Sequence, residues 1–177
     1  MTNSSDEQQS GGRINLFYGA AFSGFCLSQL SSYLVERYLT QGNSVQILPF
    51  LNFTHVRNMG GVFGMFQGKG WVFALVASIF IVGVAWFVIR GKRLPSYEYF
   101  GLGCIVGGGL ANIADRLIYG SVIDFVDVQG LPFWHYIFNT ADMLIHLGIW
   151  SLVLYGLLGP RPEQAKATAV VEGETPS

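Results

Sequence analysis

Residues 71–89 read WVFALVASIFIVGVAWFVI, 19 consecutive positions without a charged side chain. At a rise of about 1.5 Å per residue, a helix of this length nearly crosses a hydrocarbon core of about 30 Å. The stretch ends at Arg90, and Lys92 and Arg93 follow directly. Because basic loops stay on the cytoplasmic side of a membrane, the sequence predicts a transmembrane helix whose C-terminal end is cytoplasmic.

The composition of the whole chain agrees with a membrane protein. Of its 177 residues, 51% are hydrophobic and only 12% are charged, about half the charged fraction of a typical soluble domain. The formal net charge of −1, without a basic stripe, excludes nucleic acid as a partner.

Three further stretches are apolar enough to cross the bilayer. They are residues 14–35, which contain no charge, residues 97–118, which are rich in glycine, and a span from about Phe133 to Leu158. The predicted fold class is therefore an all-α integral membrane protein with four transmembrane helices. Its membrane domain covers residues 14–158, between polar segments at 1–13 and 159–177 that we expect to be flexible cytoplasmic tails.

The orientation of the loops follows from the four spans. With the connection after residue 89 in the cytoplasm, both termini are cytoplasmic as well. The first connection, residues 38–70, is then extracytoplasmic, and the alternation at Val45–Phe53 predicts one or two short strands there. The connection at residues 119–132 is also extracytoplasmic; it carries Asp124 and Asp127 but no Lys or Arg.

Polar side chains cluster near the predicted outer ends of the third and fourth spans. They are Asn112, Asp115, Arg116, Asp124, Asn139 and Asp142. A charged group at the centre of a bilayer costs at least about 2.5 kcal/mol on insertion scales, so such residues indicate function. The third helix rises outward and the fourth returns inward, and we therefore expect these side chains to meet at similar depth.

Asp124 and Asp142 come from different segments and are the candidate catalytic pair. Two carboxylates at low dielectric do not ionise together, so one keeps a proton while the other acts as a base that activates water. Asn112, Asn139 and Arg116 are expected to hold this pair. For Asp115 the favoured interpretation is a structural ion pair with Arg116 at the end of the third helix.

The remaining histidines and cysteines are expected to be structural. His146 has no second ligand at metal spacing, so we expect a buried neutral imidazole and predict neither a metal nor an organic cofactor. His55 and Arg57 would contact lipid headgroups or solvent in the outer loop. Cys26 and Cys104 are expected to be buried, inert thiols.

Four motifs carry the most specific functional signal. They are Asn58-Met-Gly60-Gly-Val-Phe63-Gly64, Gly107-Gly-Gly-Leu-Ala-Asn112-Ile-Ala-Asp115-Arg116, Gly120-Ser-Val-Ile-Asp124-Phe125 and Phe138-Asn139-Thr-Ala141-Asp142-Met-Leu-Ile145. In this order, over nearly the whole membrane section, they resemble the motifs of the bacterial lipoprotein signal peptidase family, signal peptidase II.

The resemblance implies a monomeric aspartic endopeptidase of the bacterial inner membrane, with four helices and a small extracytoplasmic sheet. Its substrates would be diacylglyceryl-modified prolipoproteins, cut just before the lipid-bearing Cys, and membrane lipid would be its other partner. By motif position, Asp124 and Asp142 would be the catalytic pair. Asn112, Asp115, Arg116 and Asn139 would support the site, and Asn58 and Gly60 would lie near the substrate.

The first span departs from the family pattern. The family shows Asp-Gln-x-x-Lys late in this helix, whereas this chain has Ser28-Gln29-Leu30-Ser31-Ser32. Only Gln29, another supporting residue by motif position, matches. Either an ion pair has been exchanged for neutral hydroxyls, or the chain is a divergent paralogue with altered response to substrate or inhibitor.

Two other functions stay open at the level of the sequence. A non-catalytic relative that binds lipopeptide or a peptidase inhibitor would fit the changes at Ser28 and Ser32, although the intact Asp pair argues against it. A proton-coupled membrane carrier would also contain buried Asp residues, although the sequence shows no internal repeat of the kind carriers have.

Overall fold

The computed structural model describes residues 4–61, 64–90, 94–134 and 136–158, which form four helices and one sheet. In chain order the elements are α1 (Ser4–Tyr38), β1 (Ser44–Leu48), β2 (Leu51–Asn58), α2 (Gly70–Arg90), α3 (Ser96–Tyr119), β3 (Val122–Val128), β4 (Ile137–Phe138) and α4 (Thr140–Leu158). Lys92, Arg93 and the predicted tail at 159–177 lie outside the described residues.

Three helices in the described part of the chain are long and apolar enough to cross a membrane, namely α2, α3 and α4. The predicted spans at 71–89 and 97–118 match α2 and α3 to within one residue at each end. The longest helix, α1, has a lower mean hydropathy than these three, because polar residues such as Asn15, Ser28 and Gln29 lie among its apolar residues.

The first helix begins earlier than the sequence predicted. α1 starts at Ser4, so residues 4–13 are helical where their polar composition suggested a flexible tail. Once a helix is nucleated, each added residue gains one hydrogen bond. An apolar span can therefore extend helical structure into a polar segment beside it.

The fourth helix begins later than predicted, at Thr140 rather than near Phe133. Residues Ile137 and Phe138 instead form β4, which pairs with Asp127 and Val126 of β3. Short apolar runs fit a strand and a helix equally well, so the sequence pattern did not separate the two. The prediction was wrong for the residues before Thr140.

A four-stranded antiparallel sheet joins the connection between α1 and α2 to the connection between α3 and α4, with its strands in the order β1-β2-β3-β4. β1 and β2 confirm the strands predicted in the first connection. β3 was not predicted, although its sequence of mainly β-branched residues is typical of a strand. Its register with β2 places Asp124 opposite Val56 and Val122 opposite Asn58.

α3 is the central helix and packs against each of the other three. Its glycines allow this, as their small size predicted. A Cβ on Gly107 would lie 2.5 Å from the carbonyl oxygen of Ala21 in α1, and one on Gly108 would lie 2.5 Å from that of Ala141 in α4. This close packing brings α1 and α4 to the polar residues at the C-terminal end of α3.

Much of the outer surface of the helices is apolar. Large side chains of α2, including Ile79, Phe80 and Val82, are exposed, as expected for a helix that faces lipid. Cys26 lies exposed on α1, so the prediction of a buried thiol was wrong there, whereas Cys104 is buried as predicted.

Candidate active site

Asp124 lies in β3 and is almost completely buried, with 4% of its surface exposed. Each of its carboxyl oxygens accepts a hydrogen bond from an amide. Asn139 Nδ2 donates to Oδ1 over 2.8 Å, and Asn58 Nδ2 donates to Oδ2 over 3.0 Å. Burial, followed by the negative charge of Asp142, raises the pKa of Asp124 to about 7, although both amides and Arg116 act in the opposite direction.

Asp142 lies in the first turn of α4 and forms a reciprocal cap with the residue before the helix. The backbone N–H of Asp142 donates to Asn139 Oδ1 over 3.0 Å, and the backbone N–H of Asn139 donates to Asp142 Oδ2 over 3.3 Å. This is the capping-box arrangement, which satisfies two amides at a helix start. The other carboxyl oxygen of Asp142 accepts from Asn112 Nδ2 over 2.9 Å.

Asn139 connects the two carboxyl groups. Its side-chain amide donates to Asp124 Oδ1 and also, over 3.1 Å, to Asn112 Oδ1, while its backbone contacts Asp142. Asn139 itself is 2% exposed. The sequence placed it inside the fourth helix, but it precedes that helix as its cap. The structure thus brings Asp124 and Asp142 into one hydrogen-bonded cluster, as the sequence predicted.

Arg116 extends from α3 towards the loop that follows β2. Its guanidinium donates to the carbonyl oxygen of Gly60 over 3.0 Å and to that of Asn112 over 2.9 Å. Its positive charge lowers the pKa of Asp124 and so favours the ionised form of that carboxyl group. Arg116 therefore joins the loop to the polar cluster and supplies the cation that two neighbouring carboxyl groups need.

Asp115 makes different contacts from those predicted. Its carboxyl group accepts from Gln29 Nε2 over 2.8 Å, from Ser32 Oγ over 2.9 Å and from the backbone N–H of Ile123 over 3.2 Å. The expected ion pair with Arg116 does not form in the described structure. Consecutive helix residues point in directions about 100° apart, so Asp115 faces α1 and β3 while its neighbour faces the loop.

The loop after β2 is folded around Asn58. Besides binding Asp124, the Asn58 side chain accepts from the backbone N–H of Gly60 over 3.0 Å and donates to the carbonyl oxygen of Gly61 over 3.1 Å. A Cβ at Gly60 would lie only 2.2 Å from the carbonyl oxygen of Met65, so a side chain there would displace the loop. Phe63, part of the same motif, lies outside the described residues.

Comparison with known proteins identifies the family. A family model described as signal peptidase (SPase) II matches residues 20–158. A lipoprotein signal peptidase of Coxiella burnetii is 38% identical over 76% of this chain and 85% of its own length, and one from a Nostoc species is 37% identical over 82% and 91%. The chain belongs to the signal peptidase II family.

A solved structure, described as a bacterial membrane enzyme determined by the in meso method at 2.3 Å resolution, has the same fold. It superposes with a TM-score of 0.73 at 26% identity and covers 83% of this chain and 88% of its own. The family model covers most of α1 and all of α2, α3, α4 and the sheet. The polar cluster described above thus lies entirely within the part of the chain that the family model matches.

The departures of α1 from the signal peptidase II pattern have different structural outcomes. Ser32, at the position where the resemblance implied a Lys, donates its hydroxyl to Asp115, and Gln29 donates to the same carboxyl group. Ser28 is 2% exposed and its Oγ has no hydrogen-bond partner among the described residues. The first change keeps Asp115 hydrogen-bonded without a cation, whereas nothing in the structure explains the second.

The histidines differ from the sequence-based expectations. His146 is exposed on α4, and its Nδ1 donates to the carbonyl oxygen of Asp142 over 2.8 Å, so the expected buried imidazole is wrong. His55 is buried at 2% exposure rather than in contact with lipid or solvent, and Arg57 forms an ion pair with Glu36. Within the described residues, no group of three His, Cys, Asp or Glu side chains could hold a metal ion.

Proposed function

We propose that this signal peptidase II relative removes the signal peptide from diacylglyceryl-modified prolipoproteins, by cleavage just before the lipidated Cys. Family membership supports the reaction class, because the matched relatives are named lipoprotein signal peptidases. The observation that carries the proposal is that Asn139 contacts both the buried carboxyl group of Asp124 and the partly buried carboxyl group of Asp142, in a protein whose helices have large apolar side chains on their surface.

Asp124 and Asp142 act as an aspartic pair in this proposal. One carboxylate takes a proton from water, whose oxygen attacks the carbonyl carbon of the scissile peptide bond. The other, protonated carboxyl group donates to the carbonyl oxygen and, as the tetrahedral intermediate collapses, a proton passes to the leaving nitrogen. The raised pKa of Asp124 supports a pair that shares one proton near neutral pH. A coupled pair titrates as a unit, so neither role is assigned to a single residue.

The supporting residues divide into three groups by their contacts. Asn58, Asn112 and Asn139 donate amide hydrogens to the two carboxyl groups. Arg116 supplies positive charge and holds Gly60 of the loop beside the site. Asp115 and Gln29 fix the start of β3 against α1. No metal or organic cofactor enters this mechanism.

The proposed location is the bacterial cytoplasmic membrane, with four spans and both termini in the cytoplasm. α1 completes the four spans, because residues 14–35 carry no charge and α1 packs closely on α3. The sheet and the acid pair then lie near the extracytoplasmic face, where a precursor emerges after translocation. We propose that the protein acts as a monomer, with the substrate's acyl chains and signal-peptide helix among its apolar helix faces.

The test is cleavage of a diacylated prolipoprotein by the purified protein in detergent, beside the same precursor without its diacylglyceryl group. We expect cleavage of the lipidated precursor alone, with the modified Cys as the new N-terminus by mass spectrometry. Binding of the lipidated precursor without cleavage would contradict the proposal and favour a non-catalytic relative. Equal cleavage of both precursors would refute the proposed substrate class.

A further inference from the structure

A second polar cluster, formed by Glu36, His55 and Arg57, lies beside the acid pair but does not contact it directly. Glu36 is near the C-terminal end of α1, and the other two residues are on β2. His55 Nδ1 donates to the carbonyl oxygen of Leu39 over 2.6 Å, and its Nε2 lies 3.2 Å from Glu36 Oε2. Arg57 pairs with the other oxygen of Glu36. One carboxylate thus contacts both side chains.

Arg57 extends this cluster to the end of α3. Its guanidinium donates to the carbonyl oxygen of Tyr119 over 3.2 Å and lies 5.8 Å from the centre of the Tyr119 ring. Tyr119 is the last residue of α3, and Gly120 turns the chain from there into β3 with a φ of 72°. Glu36 therefore joins α1 to β2 directly, and to the α3–β3 turn through Arg57.

The same strands carry the contacts to the acid pair. In the register of β2 and β3, Arg57 lies opposite Ile123. Asn58 is the next residue after Arg57 in β2, and Asp124 is the next residue after Ile123 in β3. Asn58 and Asp124 are joined by the 3.0 Å hydrogen bond of the active site. A shift of the end of β2 would lengthen this hydrogen bond first.

We propose that Glu36 is a positioning residue for the reaction, which holds Arg57, and with it the end of β2, so that Asn58 meets Asp124. This inference rests on the proposed catalytic role of Asp124. Without the carboxylate, Arg57 would keep a half-buried charge without its partner, and the end of β2 would move away from β3. A displacement of about 1 Å near a reacting group costs up to about a hundredfold in rate.

A double-mutant cycle with Glu36→Gln and Asn58→Ala tests the inference, with kcat, KM and the pH profile measured on a diacylated prolipoprotein. We expect Glu36→Gln to lower kcat by about tenfold or more and to leave KM within about twofold. Because Glu36 acts through Asn58, the double variant should be no slower than Asn58→Ala alone. The matched control is Glu98→Gln at the other end of α3, since the one side-chain hydrogen bond described for Glu98 is the one it accepts from the Tyr97 hydroxyl.

The pH profile separates positioning from a purely structural effect. The charged groups that face Asp124 are Asp142 from α4 and Arg116 from α3, and both stay unchanged in these variants. Loss of the Asn58 hydrogen bond removes an interaction that lowers the pKa of Asp124. The midpoint of the alkaline limb should therefore move to higher pH in Glu36→Gln as it does in Asn58→Ala.

Additive losses of kcat in the double variant, or an unchanged pH midpoint in Glu36→Gln, would overturn the inference. If Glu36→Gln does not accumulate in membranes, Arg57→Gln replaces it in the same cycle with the same expectations. Failure of the acid-pair mechanism is distinguishable, because Asp124→Asn would then keep its turnover. If Asp124→Asn loses all turnover but the losses of kcat in the cycle are additive, only the role of Glu36 is refuted and the acid pair is not.

Discussion

Asn139 organises the acid pair through both its side chain and its backbone. Its side-chain amide donates to Asp124 and Asn112, its side-chain oxygen Oδ1 accepts from the backbone N–H of Asp142, and its own backbone N–H donates to Asp142 Oδ2. Replacement by Ser keeps a capping oxygen but removes the amide, whereas replacement by Ala removes both. Comparison of Asn139→Ser with Asn139→Ala therefore separates the effect of losing the amide contacts in the site from the effect of losing the cap of α4.

We expect Asn139→Ser and Asn139→Ala to lose cleavage activity to a similar extent, because each leaves Asp124 without one amide donor. Only Asn139→Ala should also lose stability, by about 1 kcal/mol, the usual effect of removing an N-cap. The measurements are turnover and thermal unfolding in detergent. Full activity in Asn139→Ser would show that the amide contacts are dispensable.

The raised pKa of Asp124 predicts a specific pH dependence. The pair needs one proton, and this proton is lost as the pH rises through the pKa of about 7. Turnover should therefore fall on the alkaline side with a midpoint near pH 7, and Asn58→Ala should move that midpoint to higher pH. The check is kcat measured between about pH 5 and pH 9, near the range over which such a group titrates. A constant kcat across this range would contradict a shared proton.

At single positions, the sequence predicted that Asp124 and Asp142 come together, as they do on Asn139, but it did not predict the hydrogen-bond partners of Asp115. Asp124 and Asp142 stand out because charges are rare in apolar segments. The contacts of Asp115 were wrong because they come from Gln29 and Ser32, more than 80 residues away in sequence. Spacing along one helix predicts neighbours on that helix but not side chains that tertiary packing brings in.

Among the elements, the contact between α3 and α4 sets the position of Asp142. Gly108 lies against the Ala141 carbonyl oxygen at a distance that leaves no room for a Cβ. Gly108→Ala should push α4 outward, lower stability by about 1–3 kcal/mol and reduce turnover. Gly83→Ala is the matched control, because no atom lies within 4 Å of its Cβ position. Thermal unfolding and turnover of both variants provide the check, and equal behaviour would contradict the packing argument.

The helices were easier to predict than the strands. Charge-free length identifies a span such as α2 directly, because a bilayer has a fixed thickness. β3 and β4 are short, and their partners are elsewhere in the chain. The β-branched residues of β3 are typical of a strand, whereas the two residues of β4 are too few to show a pattern.

For the whole molecule, the proposed topology predicts which residues face each side of the membrane. In a chain whose own cysteines are replaced by Ser, single cysteines at Gln46 and Gln129 should react with an impermeant maleimide in intact cells. A cysteine at Ser96 should react only after the cells are permeabilised. All three native side chains are exposed, so accessibility within the fold is matched. Labelling of Ser96→Cys in intact cells would contradict the orientation.

The most direct test of the acid pair compares three substitutions of Asp by Asn in one cleavage assay on a diacylated prolipoprotein. Asp127→Asn is the control, because Asp127 lies on the same strand as Asp124 but bonds to Thr54 and Gln129. Asp124→Asn and Asp142→Asn should each lose turnover by at least about 10²–10⁴-fold, while Asp127→Asn keeps most of it. Substantial turnover in either of the first two variants, folded in membranes, would contradict the catalytic pair.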